Sequence, residues 1–232
     1  MTAISYRAAT FDCYGTLIDW EGGIGQFLYA LALEFGDPGP DNGRSLRERW
    51  ETIQFDVISG PYRDYKSVLA ESLRRWMDER GYPWSPERGG SLARSMRSWQ
   101  PFPDTRPALQ QARDAGLRLV ILSNADRDLI AHSLLHLEVP FEDVVTAEDC
   151  GSYKPNLANF ETALARLGED PARVLHVAFG YKYDIGPAKR LGMSTAWINR
   201  HAEPLPGADQ PDFVWRDLWG LAKLAGGPGP GF

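Results

Sequence analysis

The stretch from Phe11 to Trp20 constrains the fold of this chain more than any other stretch. The apolar run Ala8–Phe11 precedes it and has the residue types of a buried β-strand, so Asp12 is predicted to lie where this strand ends and the chain turns at Gly15. Open α/β sheets place their chemistry at this carboxyl edge. An Asp that only caps the turn is an alternative that the stretch, taken alone, leaves open.

The next part of the chain is predicted to be helical. Apolar residues recur three and four positions apart from Gly22 to about Phe35, and similar patterns cover 45–58, 64–80 and 86–98. After Trp99, strands and helices alternate instead. Predicted strands cover 117–122, 144–145, 174–179 and 195–198, and predicted helices cover 107–115, 128–137, 156–167 and 185–191.

These patterns predict an α/β protein with a doubly wound, mainly parallel sheet. Its strands are continuously apolar, as a sheet covered on both faces requires. Because the first strand precedes the helical run, residues 21–98 are predicted to be a helical cap inserted into a catalytic core made of residues 1–20 and 99–232. The Gly- and Pro-rich tail, 226–231, is predicted to be flexible.

Composition narrows the class of function. A formal net charge of −6 over 232 residues argues against a nucleic-acid or anionic-membrane binder, because phosphate binding needs a basic patch. No stretch of the sequence approaches the ~18 uninterrupted apolar residues of a membrane span. Cys13 and Cys150 cannot make a disulfide framework, which favours a reducing cytoplasm. The histidines have no zinc-site spacing and are interpreted as structural or surface residues; they are His132, His136, His176 and His201.

Polar side chains gather at four places near the ends of predicted strands. They are Asp12 with Thr16, Ser123 with Asn124, Lys154, and Asp184. Each has a simpler interpretation. Ser123 and Asn124 can cap the next helix. Lys154 can be a loop residue in solvent, and Asp184 can be the N-cap of the helix that follows it. Together they place two carboxylates, an ammonium, hydroxyls and an amide around one crevice. This coincidence favours a functional site.

In this order the residues resemble the haloacid dehalogenase superfamily, whose motifs are an Asp-x-x-Gly-Thr loop, a Ser or Thr at a strand end, a Lys, and a late acidic residue. Four segments are most similar to L-2-haloacid dehalogenases: Phe11–Asp19, Leu122–Asn124, Tyr153–Pro155 and Trp197–Arg200. The resemblance covers the whole chain, including the inserted cap. It implies a hydrolase that cleaves the carbon–halogen bond of short 2-haloacids through a covalent aspartyl ester on Asp12.

Two positions separate dehalogenation from the phosphatase chemistry of the same scaffold. A phosphatase of this type needs a second Asp two residues after the nucleophile, to protonate the departing alkoxide, and this chain has Tyr14 there, a phenol with an ordinary pKa of ~10. Mg²⁺ usually needs more than one carboxylate, and no acidic residue lies between Val177 and Tyr183. A site without metal or cofactor is therefore predicted.

Alternatives stay open at this point. They are a phosphatase of the same superfamily, a hydrolase of C–N or C–O bonds in a small carboxylic acid that uses the same aspartyl displacement, and a non-catalytic binder. The expected partner is a small 2-haloacid, and a homodimer through exposed cap aromatics is left undecided. The halogen, the chain length and the stereochemical preference are not fixed by these residues.

The resemblance and the charges imply roles for the other residues of the core. Lys154 is expected to keep Asp12 ionised. The hydrogen-bond donors Thr16, Ser123 and Asn124 are expected to aim the carboxylate or to hold the acid group of the substrate. Asp184 is expected to position either the lysine or the hydrolytic water, and the sequence does not choose between these roles.

The cap is expected to supply the donor for the departing halide. The resemblance implies an arginine on the second cap helix, and Arg47 and Arg49 are both candidates; the alternative for each is a solvated pair with a nearby glutamate. Tyr14 and Tyr183 are expected to line the substrate pocket. The segment Gly180–Tyr183 departs from the Ser and Asn that L-2-haloacid dehalogenases typically have there.

Overall fold

The computed structural model describes residues 6–37 and 39–227. Its centre is a six-stranded sheet whose strands are β1 (Ala8–Phe11), β2 (Arg118–Ser123), β3 (Asp143–Thr146), β4 (Val174–Ala178), β5 (Ser194–Ile198) and β6 (Phe213–Trp215). The spatial order is β3-β2-β1-β4-β5-β6, and all five neighbouring pairs are parallel. The predicted doubly wound parallel sheet is therefore confirmed. Residues 228–231 of the predicted flexible tail lie outside the described residues.

The sheet order places a crevice beside β1. Phe11, its last residue, is paired with Ile121 of β2 on one side and with Val177 of β4 on the other. The chain passes from β1 to β2 on one side, and after β3 it crosses to β4 on the other side. At such a switch point the carboxyl ends of the strands leave an open crevice. The residues that directly follow these strands, Asp12 and Phe179 among them, meet at this edge.

The chain between β1 and β2 forms what we name the helical segment, residues 20–98. It contains α1 (Trp20–Glu34), α2 (Arg44–Ile58), α3 (Tyr65–Glu79), α4 (Pro86–Gly89), α5 (Ser91–Ser95) and a 3₁₀ turn (Met96–Ser98). α2 packs on α3, and Trp76 of α3 is buried and donates its Nε1 hydrogen to the carbonyl of Leu46 at 3.2 Å. The division into an inserted cap, 21–98, and a core stays a prediction.

Six further α-helices of the described residues accompany the sheet, besides a 3₁₀ turn (Pro171–Arg173) before β4. They are α6 (Thr105–Asp114), α7 (Arg127–Leu137), α8 (Ala147–Cys150), α9 (Leu157–Leu167), α10 (Tyr181–Arg190) and α11 (Trp219–Leu224). None of the described helices has both the length and the apolar surface that a bilayer crossing requires.

Some element boundaries differ from the predictions. The single helix expected over 86–98 is broken into α4, α5 and the 3₁₀ turn around Gly89 and Gly90, since each Gly in a helix interior costs about 1 kcal/mol relative to Ala. The helix expected from Ile185 begins at Tyr181, so Asp184 lies in its first turn rather than at its N-cap. β6 was not predicted, because its three half-exposed residues show no periodicity. α11 was not predicted either.

Candidate active site

Asp12 directly follows β1, and its carboxylate is held by two donors at the carboxyl edge of the sheet. Lys154 Nζ donates to Oδ1 at 2.9 Å, and Thr16 Oγ1 donates to Oδ2 at 2.7 Å. The side chain is 14% exposed, so the carboxylate keeps an opening to solvent. Burial raises the pKa of Asp12 above its ordinary value of 3.8, and the Lys154 ammonium and the Thr16 hydroxyl oppose that rise.

The loop that carries Asp12 is tied to the end of β4. Thr16 Oγ1, besides donating to Asp12, accepts from the backbone N–H of Phe179 at 2.8 Å. Gly15 has a φ of +95°, and a Cβ there would lie 2.8 Å from Cδ1 of the Phe179 ring. Only glycine meets both conditions without strain. Thr16 is fully buried behind the carboxylate, where it orients Asp12 rather than contacting the open space.

Lys154 is the buried cation of the site, with 2% of its side chain exposed. Its Nζ donates to Asp12, to Asp184 Oδ1 at 2.7 Å and to the carbonyl of Leu122 at 3.0 Å, so all three of its hydrogens have acceptors. Burial alone would lower the pKa of Lys154, but the two carboxylates hold it above its ordinary value. The side chain therefore stays charged at neutral pH.

The amide of Asn124 holds the backbone of that lysine. Its Oδ1 accepts from the N–H of Lys154 at 2.7 Å, and its Nδ2 donates to the carbonyl of Lys154 at 3.3 Å. Ser123 is buried, and its Oγ accepts from the N–H of Ala125 at 3.2 Å. Both side chains border the crevice, and the contacts of Asn124 place it on the lysine loop.

Asp184 is bound from two sides. Its Oδ1 accepts from Lys154 and lies 3.0 Å from Nε2 of His176, whose Nδ1 is 2.8 Å from Oγ1 of Thr10. A neutral imidazole with its proton on Nε2 satisfies both of these contacts. Burial alone would raise the pKa of Asp184, but Lys154 and His176 hold it below its ordinary value. A continuous buried chain of polar groups thus runs from the sheet to Asp12.

His176 was not predicted to belong to the site and was interpreted as a structural or surface residue. It is fully buried within β4, and its register partner on β1 is Thr10. Two polar residues paired across otherwise apolar neighbouring strands were the available signal, but that pairing is set by the sheet order. It is therefore visible only in the tertiary structure.

Aromatic side chains occupy two positions that matter for the choice of chemistry. Tyr14 borders the crevice, yet its hydroxyl lies 2.9 Å from Oγ of Ser133 on α7. Burial raises the pKa of Tyr14 well above its ordinary value. The residue directly after β4 is Phe179, whose ring packs against Gly15. Neither position offers a carboxylic acid to a substrate.

The donor set does not fit a hard divalent cation. Within 6–37 and 39–227, no group of three or more His, Cys, Asp or Glu side chains is arranged to hold a metal ion. The carboxylates of Asp12 and Asp184 converge on the ammonium of Lys154, which already supplies the positive charge between them. Mg²⁺ requires several oxygen ligands in near-octahedral geometry.

The core edge and the helical segment enclose a cleft of about 1210 Å³. The residues expected in the site that line it are Asp12, Tyr14, Arg47, Ser123, Asn124, Lys154, Tyr183 and Asp184. Tyr183 lies in the first turn of α10, with its ring centroid 6.0 Å from that of Phe55 on α2. The helical segment therefore forms the wall opposite Asp12.

The structure separates the two candidate arginines. Arg47 faces the cleft, and its Nη1 lies 2.7 Å from Oε1 of Glu21 on α1 and also contacts Glu51. Arg49 points elsewhere: its guanidinium is half-exposed and donates to Glu79 of α3 at 2.8 and 2.5 Å. Residues two positions apart on an α-helix point about 200° apart, so the two arginines must lie on opposite faces of α2. Of the two candidate halide donors, Arg47 therefore lines the cleft, and Arg49 is not among the residues that line it.

Fold and site together define a class, namely doubly wound α/β proteins with a carboxylate–lysine–carboxylate site at the switch point. The family model described as haloacid dehalogenase-like hydrolase matches residues 6–192. The chain belongs to this family.

Three known proteins illustrate the similarity. Haloacetate dehalogenase H-2 of Moraxella sp. (strain B) is 27% identical over 217 residues, which cover 90% of this chain and 92% of that protein. Haloacid dehalogenase-like hydrolase domain-containing protein 3 of Xenopus laevis is 36% identical over 221 residues, 87% of each chain. The L-2-haloacid dehalogenase of Xanthobacter autotrophicus superposes with a TM-score of 0.82 over 96% of this chain and 99% of that one. At 24% identity, this last likeness concerns the fold alone.

Proposed function

We propose that this protein is a hydrolytic dehalogenase, similar to the (S)-2-haloacid dehalogenases, that acts on short 2-haloacids through an ester on Asp12. The observation that carries the proposal is Tyr14. It stands where a phosphatase of this scaffold has its acid, and its hydroxyl is engaged with Ser133. An alkoxide needs a proton in order to leave, whereas a halide leaves without one. The site therefore suits a leaving group of the halide type.

The reaction has two steps. One carboxylate oxygen of Asp12 attacks the carbon that bears the halogen; a C–O bond forms, the carbon–halogen bond breaks, and the halide departs with the bonding electrons and with inversion. Water then adds to the carboxyl carbon of the Asp12 ester. The acyl–oxygen bond breaks, a 2-hydroxy acid and a proton are released, and the carboxylate is restored.

The contacts of the core suggest how its residues divide this work. Lys154 and Thr16 hold the two oxygens of Asp12 and so fix the direction of attack. Asp184, for which the sequence left two roles, is proposed to position Lys154, since they are 2.7 Å apart. Asn124 is proposed to hold the lysine loop, because both of its amide atoms bond to that backbone.

The remaining roles concern the substrate. Ser123, which borders the cleft, is proposed to donate to the substrate carboxylate. Tyr14 and Tyr183 are proposed to form the walls around the carbon chain, and Arg47, on the opposite side of the cleft, to receive the halide. The proposed partner is thus a small haloacid. The oligomeric state is a separate question for light scattering.

Two further parts of the proposal rest on other observations. Similarity to a protein named haloacetate dehalogenase supports dehalogenation, at 27% identity over most of both chains. A cytoplasmic location is proposed because both cysteines, Cys13 and Cys150, are free thiols. The 36% identical relative carries a family name that gives no substrate, so the alternative left open by the sequence, hydrolysis of a phosphate ester, is tested beside dehalogenation.

Halide release provides the test. The protein is incubated with 2-chloropropionate and with fluoroacetate in the presence of EDTA, and free halide is measured. Halide release is expected, together with incorporation of heavy oxygen from labelled water into the Asp12 peptide. Asp12→Asn is the control and should release none. No halide and no labelled Asp12 would reject the proposal, and Mg²⁺-dependent phosphate release from a sugar phosphate would favour the second candidate.

A further inference from the structure

On the helical segment's side of the cleft, three carboxylates surround the guanidinium of Arg47. Arg47 Nη1 is 2.7 Å from Glu21 and contacts Glu51, and Nη2 lies 3.9 Å from Glu48. The Arg47 side chain is only 14% exposed. We name these four residues the Arg47 cluster. Because carboxylates occupy the guanidinium of Arg47, an anion in the cleft must compete with them for this group.

The carboxylates of the Arg47 cluster are not held equally. Glu21 is shared between Arg47 and His201, whose Nε2 lies 2.5 Å from Oε2. Glu48 is also paired with Arg44 at 2.9 Å. For Glu51, the described residues offer Arg47 as the one cation within ion-pair distance. The contact between Glu51 and Arg47 is therefore the one whose loss frees an N–H of Nη1 without disturbing another ion pair, since Glu21 keeps its own contact with Nη1.

We propose that Glu51 gates anion binding at Arg47: when ionised it occupies an N–H of Nη1, and when it takes up a proton it releases that N–H to an anion, in this cleft the departing halide. This inference rests on the proposed function for the identity of the anion. One proton is bound with each anion when Glu51 starts ionised. The gate makes Glu51 a specificity-determining residue, because it sets the pH range in which an anion is accepted opposite Asp12.

The surroundings of Glu51 place this gate near neutrality. Burial raises the pKa of Glu51 to about 7; Arg47 opposes the rise, and the neighbouring carboxylates Glu21 and Glu48 add to it. Glu51 is ionised above this value and neutral below it, so anion binding is expected to weaken as pH rises through 7.

Two other titratable groups lie in this network. Tyr183 of α10 lies near the carboxylate of Glu51. Burial raises the pKa of Tyr183 to about 12, so Tyr183 stays neutral near pH 7. His201 contacts Glu21 rather than Glu51. Its contribution to the network is separated with a His201→Gln variant.

Chloride binding to the free protein tests the gate without any turnover. The broadening of the chloride NMR resonance by the protein is measured at pH 6 and pH 8, and the residual signal of Arg47→Gln is subtracted as non-specific binding. For a group with a pKa near 7, the Arg47-dependent broadening is expected to fall about tenfold between these two values. In Glu51→Gln, which is neutral at every pH, the broadening at pH 8 should stay within about twofold of that at pH 6.

Two matched variants isolate Glu51. Glu48→Gln removes a carboxylate from the same helix and should keep the wild-type pH dependence, and so should His201→Gln. Thermal unfolding establishes that each variant is folded. Wild-type broadening that depends on Arg47 but not on pH would overturn the gate, as would a pH dependence that survives in Glu51→Gln or broadening that does not depend on Arg47. Failure of halide release with this pH dependence intact would reject the dehalogenase alone.

Discussion

The two walls of the cleft balance their charges in different ways. In the core wall, Asp12 and Asp184 share the ammonium of Lys154, and the three side chains are 2–14% exposed. In the Arg47 cluster, three carboxylates surround one guanidinium, and the side chains are 14–52% exposed.

The difference follows from solvent. Attraction between charges is strong where water is excluded, and the donors and acceptors of the core wall are therefore fixed in one geometry. Charges nearer to solvent are screened and can exchange partners or protons at small cost. The core wall is suited to holding a nucleophile, and the Arg47 cluster is suited to admitting or rejecting an anion.

Removing the shared cation should produce the largest effect. Lys154→Met leaves two buried carboxylates without their partner, and losing one partner of a buried ion pair costs about 3–5 kcal/mol in the free energy of unfolding. The rate of halide release should fall by at least about 10²-fold, since Asp12 loses the group that orients it. Urea denaturation and initial rates measure the two effects. Glu48→Gln, in the Arg47 cluster, is the comparison and should change the free energy of unfolding far less. Equal losses of stability in the two variants would contradict the contrast between the walls.

The acid side of the pH profile should report the core wall. The ionised form of Asp12 is the nucleophile, and its pKa is raised above 3.8 because the side chain is buried. As pH falls through that raised pKa, the carboxylate takes up a proton, so kcat/KM should drop by about tenfold per pH unit. The drop should begin at a higher pH than for an ordinary aspartate. Rates measured from pH 7 downward, with tryptophan fluorescence as a check on folding, decide this; a flat profile down to pH 4 would be the contrary result.

Asp126, a buried side chain of the core, bonds to a helix of the helical segment, and its replacement should have an intermediate effect. Asp126, which is buried, accepts from the N–H groups of Tyr65 and Lys66 at 2.7 and 2.9 Å, and so caps α3 from outside the helical segment. Asp126→Ala should lower the free energy of unfolding by about 0.5–2 kcal/mol, as for the loss of an N-cap. Amide hydrogen exchange at residues 65 and 66 should accelerate. Unchanged exchange there would show that packing alone holds α3 in place.

The smallest effect is expected at Arg49. Its guanidinium pairs with Glu79 on the solvent side of α2, away from the cleft. Arg49→Ala should change the rate of halide release by less than about twofold, because exposed pairs contribute little. Arg47→Ala, two residues away on the cleft side, is the matched comparison and should raise KM or lower kcat. A large loss in Arg49→Ala would mean that α2 turns in the working enzyme.

Much of the fold could be predicted from local sequence, and the errors have identifiable causes. The apolar run before Asp12 and the later βαβ alternation predicted a parallel sheet, because both signals are carried by neighbouring residues. The break at Gly89 and Gly90 was missed although each Gly disfavours a helix interior. The short edge strand β6 was missed because Phe213–Trp215 is stabilised by pairing with β5, which no local pattern reports.

For the site, the sequence supplied the types of residue and the sheet supplied their partners. Asp12, Lys154 and Asp184 were expected near one another because each follows a strand of one sheet. That one ammonium bridges both carboxylates at 2.9 and 2.7 Å depends on strand order. His176 entered the site for the same reason.

The sequence by itself determined that a carboxylate would follow the first strand, with Tyr14 in place of an acid two residues later, because both facts lie within one loop. Only the tertiary structure decided that the hydroxyl of Tyr14 turns to Ser133. It also decided that Arg47 and not Arg49 lines the cleft that Asp12 borders. These contacts join residues far apart in the chain or depend on the rotation of a helix about its axis, and the packing of the whole molecule sets both.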